Sequence, residues 1–78
     1  MTKFEIILSV CETHSISATA EKYNYTQSAI SQTVKNFEKE LGMPLFIRTK
    51  SGMQLMPNTE SIVESLRKIC HEEQMIQK

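Results

Sequence analysis

Thr26-Gln27-Ser28-Ala29-Ile30-Ser31-Gln32-Thr33-Val34-Lys35-Asn36-Phe37-Glu38-Lys39-Glu40-Leu41 decides how the rest of the chain is read. Ile30, Val34, Phe37 and Leu41 recur at helical spacing. At ~100° per residue they stay within about 60° of one another, a dry stripe for a core. The other side is unlike an ordinary solvated face. Its first turns carry Gln27, Ser28, Ser31 and Gln32, short hydrogen-bonding groups, and only then come the cations Lys35 and Lys39. Thr26 is placed to cap the helix, its hydroxyl accepting from the free N–H groups of the first turn. Gly42 permits a left-handed cap and Pro44 blocks continuation. A helix with polar readers at its exposed tip and cations further along fits a DNA major groove.

Upstream, Ser17 can cap a short second helix running to about Tyr23, in which Ala18 and Ala20 allow close backbone approach. Asn24 suits the tight corner that follows, because asparagine tolerates the left-handed conformation. A short helix, a tight turn and a longer helix with an exposed polar tip make a helix-turn-helix. Further upstream, Thr2 and Glu5 have capping-box spacing, and Phe4, Ile7, Leu8 and Cys11 form a core stripe. Ile6 and Val10 fall on another flank of this first helix, which in so small a domain predicts contact with a partner subunit.

Downstream, Leu45-Phe46-Ile47-Arg48 and Met53-Gln54-Leu55-Met56 read as two short strands joined by Thr49-Lys50-Ser51-Gly52. Arg48 and Lys50 at the tip make this hairpin a cationic wing. Pro57 then opens a last helix. Its Ile62, Leu66, Ile69 and Ile76 form a coiled-coil-like seam, with Glu73 at the missing contact position. A lone helix beyond a finished domain has little of its own chain to bury such a seam against. It is expected to pair with another copy or with the first helix. The fold class is therefore mainly α: a winged helix-turn-helix of three helices plus a two-stranded β-hairpin over residues 1–56, then a long C-terminal linker and dimerisation helix over 57–78.

Length and composition agree with one domain. At 78 residues the chain buries a modest core and gains from dimerisation. A hydrophobic content of 40% with two glycines and two prolines argues against disorder. Cys11 and Cys70 are far apart, with no CxxC pattern, and read as reduced thiols of a cytoplasmic protein rather than a disulfide or metal pair. His14 and His71 read as surface residues. Met1-Thr2-Lys3-Phe4 does not open a signal peptide, and no segment approaches the length of a membrane span. The net charge of zero argues against a nucleic-acid binder, but its distribution does not. Residues 22–50 hold five cations against two glutamates, and the remainder four cations against seven glutamates. The positive middle can meet phosphates while the acidic ends stay away.

Ser15-Ile16-Ser17-x-x-Ala20-Glu21, Thr26-Gln27-x-Ala29-Ile30-Ser31 and Leu41-Gly42-x-x-Leu45-Phe46-x-Arg48 together resemble the N-terminal DNA-binding domain of LysR-type transcriptional regulators. The resemblance covers essentially the whole chain. It implies a winged helix-turn-helix with a dimerising linker helix, and a large C-terminal effector-binding domain that this sequence lacks. The chain then reads as the DNA-binding part of a longer regulator, or as a stand-alone small protein, and an effector ligand would not bind this fragment. It departs from the family pattern at four places. Ser28 stands where proline is usual, Gln32 where a basic residue is common, Thr19 at the first of two alanines, and Met56 at the threonine that caps the linker helix. Met56 implies a weaker helix start, or one shifted so that Asn58 caps.

Gln27 is the first candidate for a base contact, since its amide both donates and accepts and suits adenine; the alternative is a solvated surface glutamine. Ser28, Ser31 and Gln32 can each meet a base edge, a phosphate or water. Ser17 joins the DNA-binding set, Lys35 is better placed for phosphate, and Thr26 can cap while the helix N-terminus offers N–H groups to a phosphate. Arg48 can fork onto a phosphate, enter the minor groove, or pair with Glu38 or Glu40; Lys50 is a second wing cation. Ile6, Val10, Ile62, Leu66, Ile69 and Ile76 are the expected dimer contacts. The expected function is a sequence-specific transcriptional regulator that binds double-stranded DNA as a homodimer. The alternative is a winged-helix protein-interaction module without a DNA role. No nucleophile–base set, catalytic carboxylate pair or phosphate-cradling glycine loop is visible, so neither an enzyme nor a cofactor or metal is expected.

Overall fold

Each of the first three helices starts on a side-chain hydroxyl and stops on a left-handed residue. The computed structural model describes residues 2–77, with α1 at Lys3–Thr13, α2 at Ile16–Tyr23 and α3 at Gln27–Leu41. The hydroxyls of Thr2, Ser15 and Thr26 accept from the N–H groups of Glu5, Ala18 and Ala29 at 3.4, 3.0 and 3.1 Å. Each satisfies a donor that the helix itself leaves free. His14, Asn24 and Gly42 close the three helices at φ 58°, 58° and 75°. The cap of α2 is thus Ser15, not Ser17. Ile16 is the first helical residue, so Ser17 falls in the first turn, exposed, with its Oγ 3.1 Å from that of Ser15.

The first helix is the centre of the domain. It packs on α2 and α3, on the wing, and on the last helix, so both of its apolar flanks are covered by its own chain. Ile6 is 4% exposed and Val10 0%, which corrects their assignment to a dimer interface: neither can reach a partner. Around α1 the core takes Ala20 from α2, Ile30, Val34 and Phe37 from α3, and Leu45, Phe46 and Met53 from the wing. Phe4 meets Phe37 edge-to-face at 6.3 Å. Leu41 drops out of the expected stripe at the last turn of α3 and is exposed. Thr19 is fully buried at the α1–α2 contact, where its hydroxyl lies 3.0 Å from that of Ser9. That pairing removes most of the cost of burying the two groups.

The wing is β1 (Phe46–Thr49) and β2 (Gly52–Leu55), antiparallel, with Arg48 opposite Met53 and Thr49 opposite Gly52. Each strand sits one residue from its expected place, which shortens the turn to Lys50-Ser51. Two contacts set this register. The Glu38 carboxylate accepts from the N–H groups of Leu45 and Phe46 at 2.6 and 3.2 Å, holding the start of β1 to α3. At the far end Thr49 Oγ1 donates to the Gly52 carbonyl at 2.9 Å, and Gly52 takes φ 120°, which L side chains rarely adopt.

The last helix, α4, runs from Glu60 to Gln77 and opens neither at Pro57 nor with Asn58 as cap. Asn58 is left-handed at φ 64°, so the chain turns there first. Thr59 then holds the capping position. Its carbonyl accepts from Val63 N–H at 3.1 Å, and its hydroxyl donates to the Met56 carbonyl at 2.8 Å. Val63, Leu66 and Cys70 are buried, on the side of α4 that packs on α1. Leu66, 2% exposed, therefore belongs to its own subunit's core and not to a seam between subunits. Glu73 also turns inward and accepts from the Thr2 hydroxyl at 2.8 Å, beside the positive end of α1. Burial pushes the Cys11 thiol up to about 11, with Glu12 adding to the rise. Cys70 is raised by the same cause, so both stay as unreactive thiols near neutral pH.

Candidate nucleic-acid interface

The tip of α3 and the wing enclose two adjoining depressions, and six of the nine expected DNA contacts line them. One is a groove of about 160 Å³ between α3 and β1, lined by Ser31, Lys35, Glu38 and Arg48 among others. The second, about 370 Å³, lies between the start of α2, the tip of α3 and the wing turn, with Ser17, Gln27, Arg48 and Lys50 on its walls. Arg48 lines both and sits between the helix and the wing turn. Thr26 stands at the tip as the cap of α3. Ser28 and Gln32 are exposed but line neither depression.

Exposure along α3 follows its helical period. Gln27, Ser28, Gln32 and Lys35 are exposed and Ser31 half-buried, while Ile30, Val34 and Phe37 are buried. The side that carries the polar groups is therefore largely exposed, with Ser31 half-buried beside the wing. Thr26's cap uses only one of the first-turn donors, the N–H of Ala29. The others remain to receive an anion, and the helix dipole favours one there.

Charge is arranged to the same effect. Among the described residues, Lys35, Arg48 and Lys50 form no ion pair within 4.0 Å. The two carboxylates that could quench them are occupied. Glu38 holds the start of β1, and Glu40 accepts from Lys3 Nζ at 2.9 Å through both oxygens. Arg48 therefore pairs with neither. Glu5, Glu12, Glu60, Glu64, Glu72 and Glu73, most of the acidic side chains, belong to α1 and α4. A molecule of zero net charge thus presents cations on α3 and the wing.

Two further residues act here. Asn36 accepts from Gln32 Nε2 at 2.9 Å, one turn along α3, and orients that amide. The i, i+4 spacing of two amides was the available signal. His14, read as a surface residue, ties the wing to the end of α1: its carbonyl accepts from Met53 N–H at 2.8 Å, and its Nδ1 lies 3.1 Å from the Met53 carbonyl. Histidine's enrichment among left-handed residues is the only hint a sequence offers of that position. Among the described residues there is no grouping of His, Cys, Asp and Glu able to hold a metal, and no helix long and apolar enough to cross a membrane.

Three helices with a tight α2–α3 corner and a two-stranded wing beside the exposed α3 define a winged helix-turn-helix protein. Residues 1–60 match the pattern described as bacterial regulatory helix-turn-helix protein, lysR family, and the chain belongs to that family. It is 37% identical over 65 residues to the HTH-type transcriptional regulator CzcR of Bacillus subtilis (strain 168), which covers 83% of this chain and 23% of that protein. Among solved structures it is similar to a full-length OxyR variant from Pseudomonas aeruginosa, with a TM-score of 0.84 and 33% identity over 99% of this chain and 27% of the other. The fold is also that of the CbnR_DBD-DNA complex, with a TM-score of 0.86 and 21% identity over 96% of this chain and 86% of that one. The chain spans about a quarter of the length of the curated relatives it matches.

Proposed function

We propose that the chain is the DNA-binding part of a bacterial transcriptional regulator, working in the cytoplasm, with α3 inserted into a major groove. Gln27, Ser28, Ser31 and Gln32 face base edges, and Lys35, Arg48, Lys50 and the α3 N-terminus hold phosphates. The observation that carries this reading is the pairing of an uncovered polar face on α3 with cations whose neighbouring carboxylates are already engaged. Ser17 and Thr26 stand beside that face and serve the phosphate backbone. The runner-up, a protein-binding module, draws its support from the zero net charge. The division of acidic and basic residues between elements weakens it.

Salt separates the two readings. Duplexes selected from a random pool should bind with an affinity that falls steeply as salt rises, by about 0.9 in log K per log salt for each phosphate contact. Binding that ignores salt, or no selection at all, overturns the DNA reading. With the selected duplex, Gln27→Ala should lose about 1–3 kcal/mol of discrimination at one base pair. Thermal stability should hardly change, because Gln27 is exposed and its side chain forms no hydrogen bond among the described residues. Unchanged base preference in a competition assay would remove Gln27 from the readout.

The same reading takes residues 57–78 as a linker through which two copies pair. With Leu66, Ile6 and Val10 assigned to the subunit core, the surface left for pairing is the flank of α4 that carries Ile62, Ile69 and Ile76, beside α3. Ile69 is 36% and Ile76 83% exposed, and Ile62 and Ile69 border an apolar cleft of about 360 Å³ that is shared with Phe4, Phe37 and Leu41 and has the buried Leu66 in its lining. Covering this surface with a second copy removes it from water. Ile69→Glu should therefore shift the protein to monomers in sedimentation equilibrium without loss of helix content. A dimer that persists would place the contact elsewhere.

A further inference from the structure

We propose that His14 is a positioning residue for the wing: by gripping Met53 it fixes where Arg48 and Lys50 stand relative to α3, and so acts on DNA through them. The proposal rests on the DNA-binding reading and adds to it a residue outside both recognition elements.

The grip has two bonds at one residue. Met53 N–H donates to the His14 carbonyl at 2.8 Å, and the Met53 carbonyl lies 3.1 Å from His14 Nδ1. A carbonyl only accepts, so Nδ1 carries the proton. Both main-chain groups of Met53 thus turn away from β1 and toward the α1–α2 corner. Met53 is the cross-strand partner of Arg48, so the residue that is held stands opposite the cation to be placed.

The geometry around the grip is built for close approach. His14 reaches Met53 because it ends α1 at φ 58° and ψ 26°. Gly52 passes so near that a Cβ there would lie 2.4 Å from the His14 carbonyl oxygen, against backbone that cannot swing aside. The depression bounded by His14, Ser17, Gln27, Arg48 and Lys50 is the space between wing and helix tip, so this contact sets its width. A two-stranded hairpin holds its own shape poorly in water. Leu45, Phe46 and Met53 bury its base, and His14 holds the main chain of Met53, the buried wing residue nearest the turn.

Two variants separate positioning from folding. His14→Gly keeps the carbonyl and suits the left-handed backbone but removes the ring. His14→Asn tolerates the same backbone, and its Nδ2 is as many bonds from Cα as Nδ1, so it can donate to the same carbonyl. The full chain and both variants are titrated with the duplex selected by the wild-type chain, across a range of salt. His14→Gly should bind about three- to tenfold more weakly, with a log–log salt slope shallower by about one phosphate contact. Lys50→Ala should weaken the wild type but add little in the His14→Gly background. His14→Asn should recover affinity to within about twofold and restore the slope. A role in folding alone would lower the melting temperature and leave the slope of the folded protein unchanged. An unchanged slope in His14→Gly, or an asparagine variant no better than the glycine one, overturns the proposal while the DNA reading stands. A wild-type chain that binds no duplex with salt dependence takes both away.

Discussion

A glutamate in place of Leu66 is expected to unfold the domain. Leu66 is 2% exposed on the inner side of α4, within the core that α1 shares with it. The cations of α1 and of the adjacent position on α4 already face carboxylates: Arg67 lies 4.0 Å from Glu12 and Lys3 2.9 Å from Glu40. A carboxylate there must ionise unpaired, stay protonated, or open the helix to water, and each route costs several kcal/mol. A 78-residue domain has roughly 4 to 12 kcal/mol in all, at about 0.05–0.15 kcal/mol per residue. Leu66→Ala, which removes methylene groups without adding charge, should cost about 2–5 kcal/mol and leave a folded protein of lower melting temperature. Circular dichroism on heating checks both. The contrast with Ile69→Glu matters, because that side chain is 36% exposed and should change association while sparing the fold. A folded, monomeric Leu66→Glu would mean that α4 leaves α1 in solution.

Why Leu66 and Ile69 part ways was invisible in the residue order. A seam of spacing four and three shows that a helix has an apolar side, but not whose apolar side meets it. Ile6 and Val10 raise the same difficulty on α1. Two apolar flanks were read as one for the core and one for a partner, whereas α4 folds back and covers the second. The third helix was legible because its signals are local. Thr26, the stripe Ile30-Val34-Phe37 and Gly42 each act within a turn or two. Leu41 escaped because the final turn of α3 projects past the core. The start of α4 was misplaced because Pro57 is common at a first helical position, while the left-handed turn at Asn58 defers that position to Glu60.

The candidate site divides in the same manner. Gln27, Ser31 and Lys35 could be placed on one face from helical period alone, and Arg48 and Lys50 on a hairpin from the turn between two apolar runs. What joins helix to wing lies across sequence. Glu38 reaches Leu45 and Phe46, seven and eight residues on, and His14 reaches Met53, thirty-nine residues on. Neither partner has a distinguishing side chain, since in each case the group held is main chain. Hydrogen bonds to backbone leave no mark in residue identity at one of their ends, so the wing's register and pose emerge only in three dimensions.

Ser31→Glu should abolish DNA binding and leave the domain slightly more stable. Ser31 is half-buried and lines the groove between α3 and β1 with Lys35 and Arg48. A glutamate there can turn toward Lys35 and Arg48, since the Glu38 carboxylate in the same groove is already engaged by the N–H groups of Leu45 and Phe46. It stands four residues before Lys35, the favourable order for an i, i+4 pair, worth about 0.3–0.5 kcal/mol in a helix. Against a duplex the same carboxylate has the opposite effect. It engages a cation needed for phosphate, and it brings negative charge against the nucleic acid, a juxtaposition costing several kcal/mol. An affinity loss of about a hundredfold or more is expected, with a melting temperature equal to or above that of the parent. Ser31→Ala, which removes the hydroxyl but adds no charge, should cost about tenfold or less. The opposed signs give the test its force, because a variant that loses binding by unfolding would melt lower. If Ser31→Glu bound the selected duplex as the parent does, this side of α3 would not face DNA, and the groove would need another occupant.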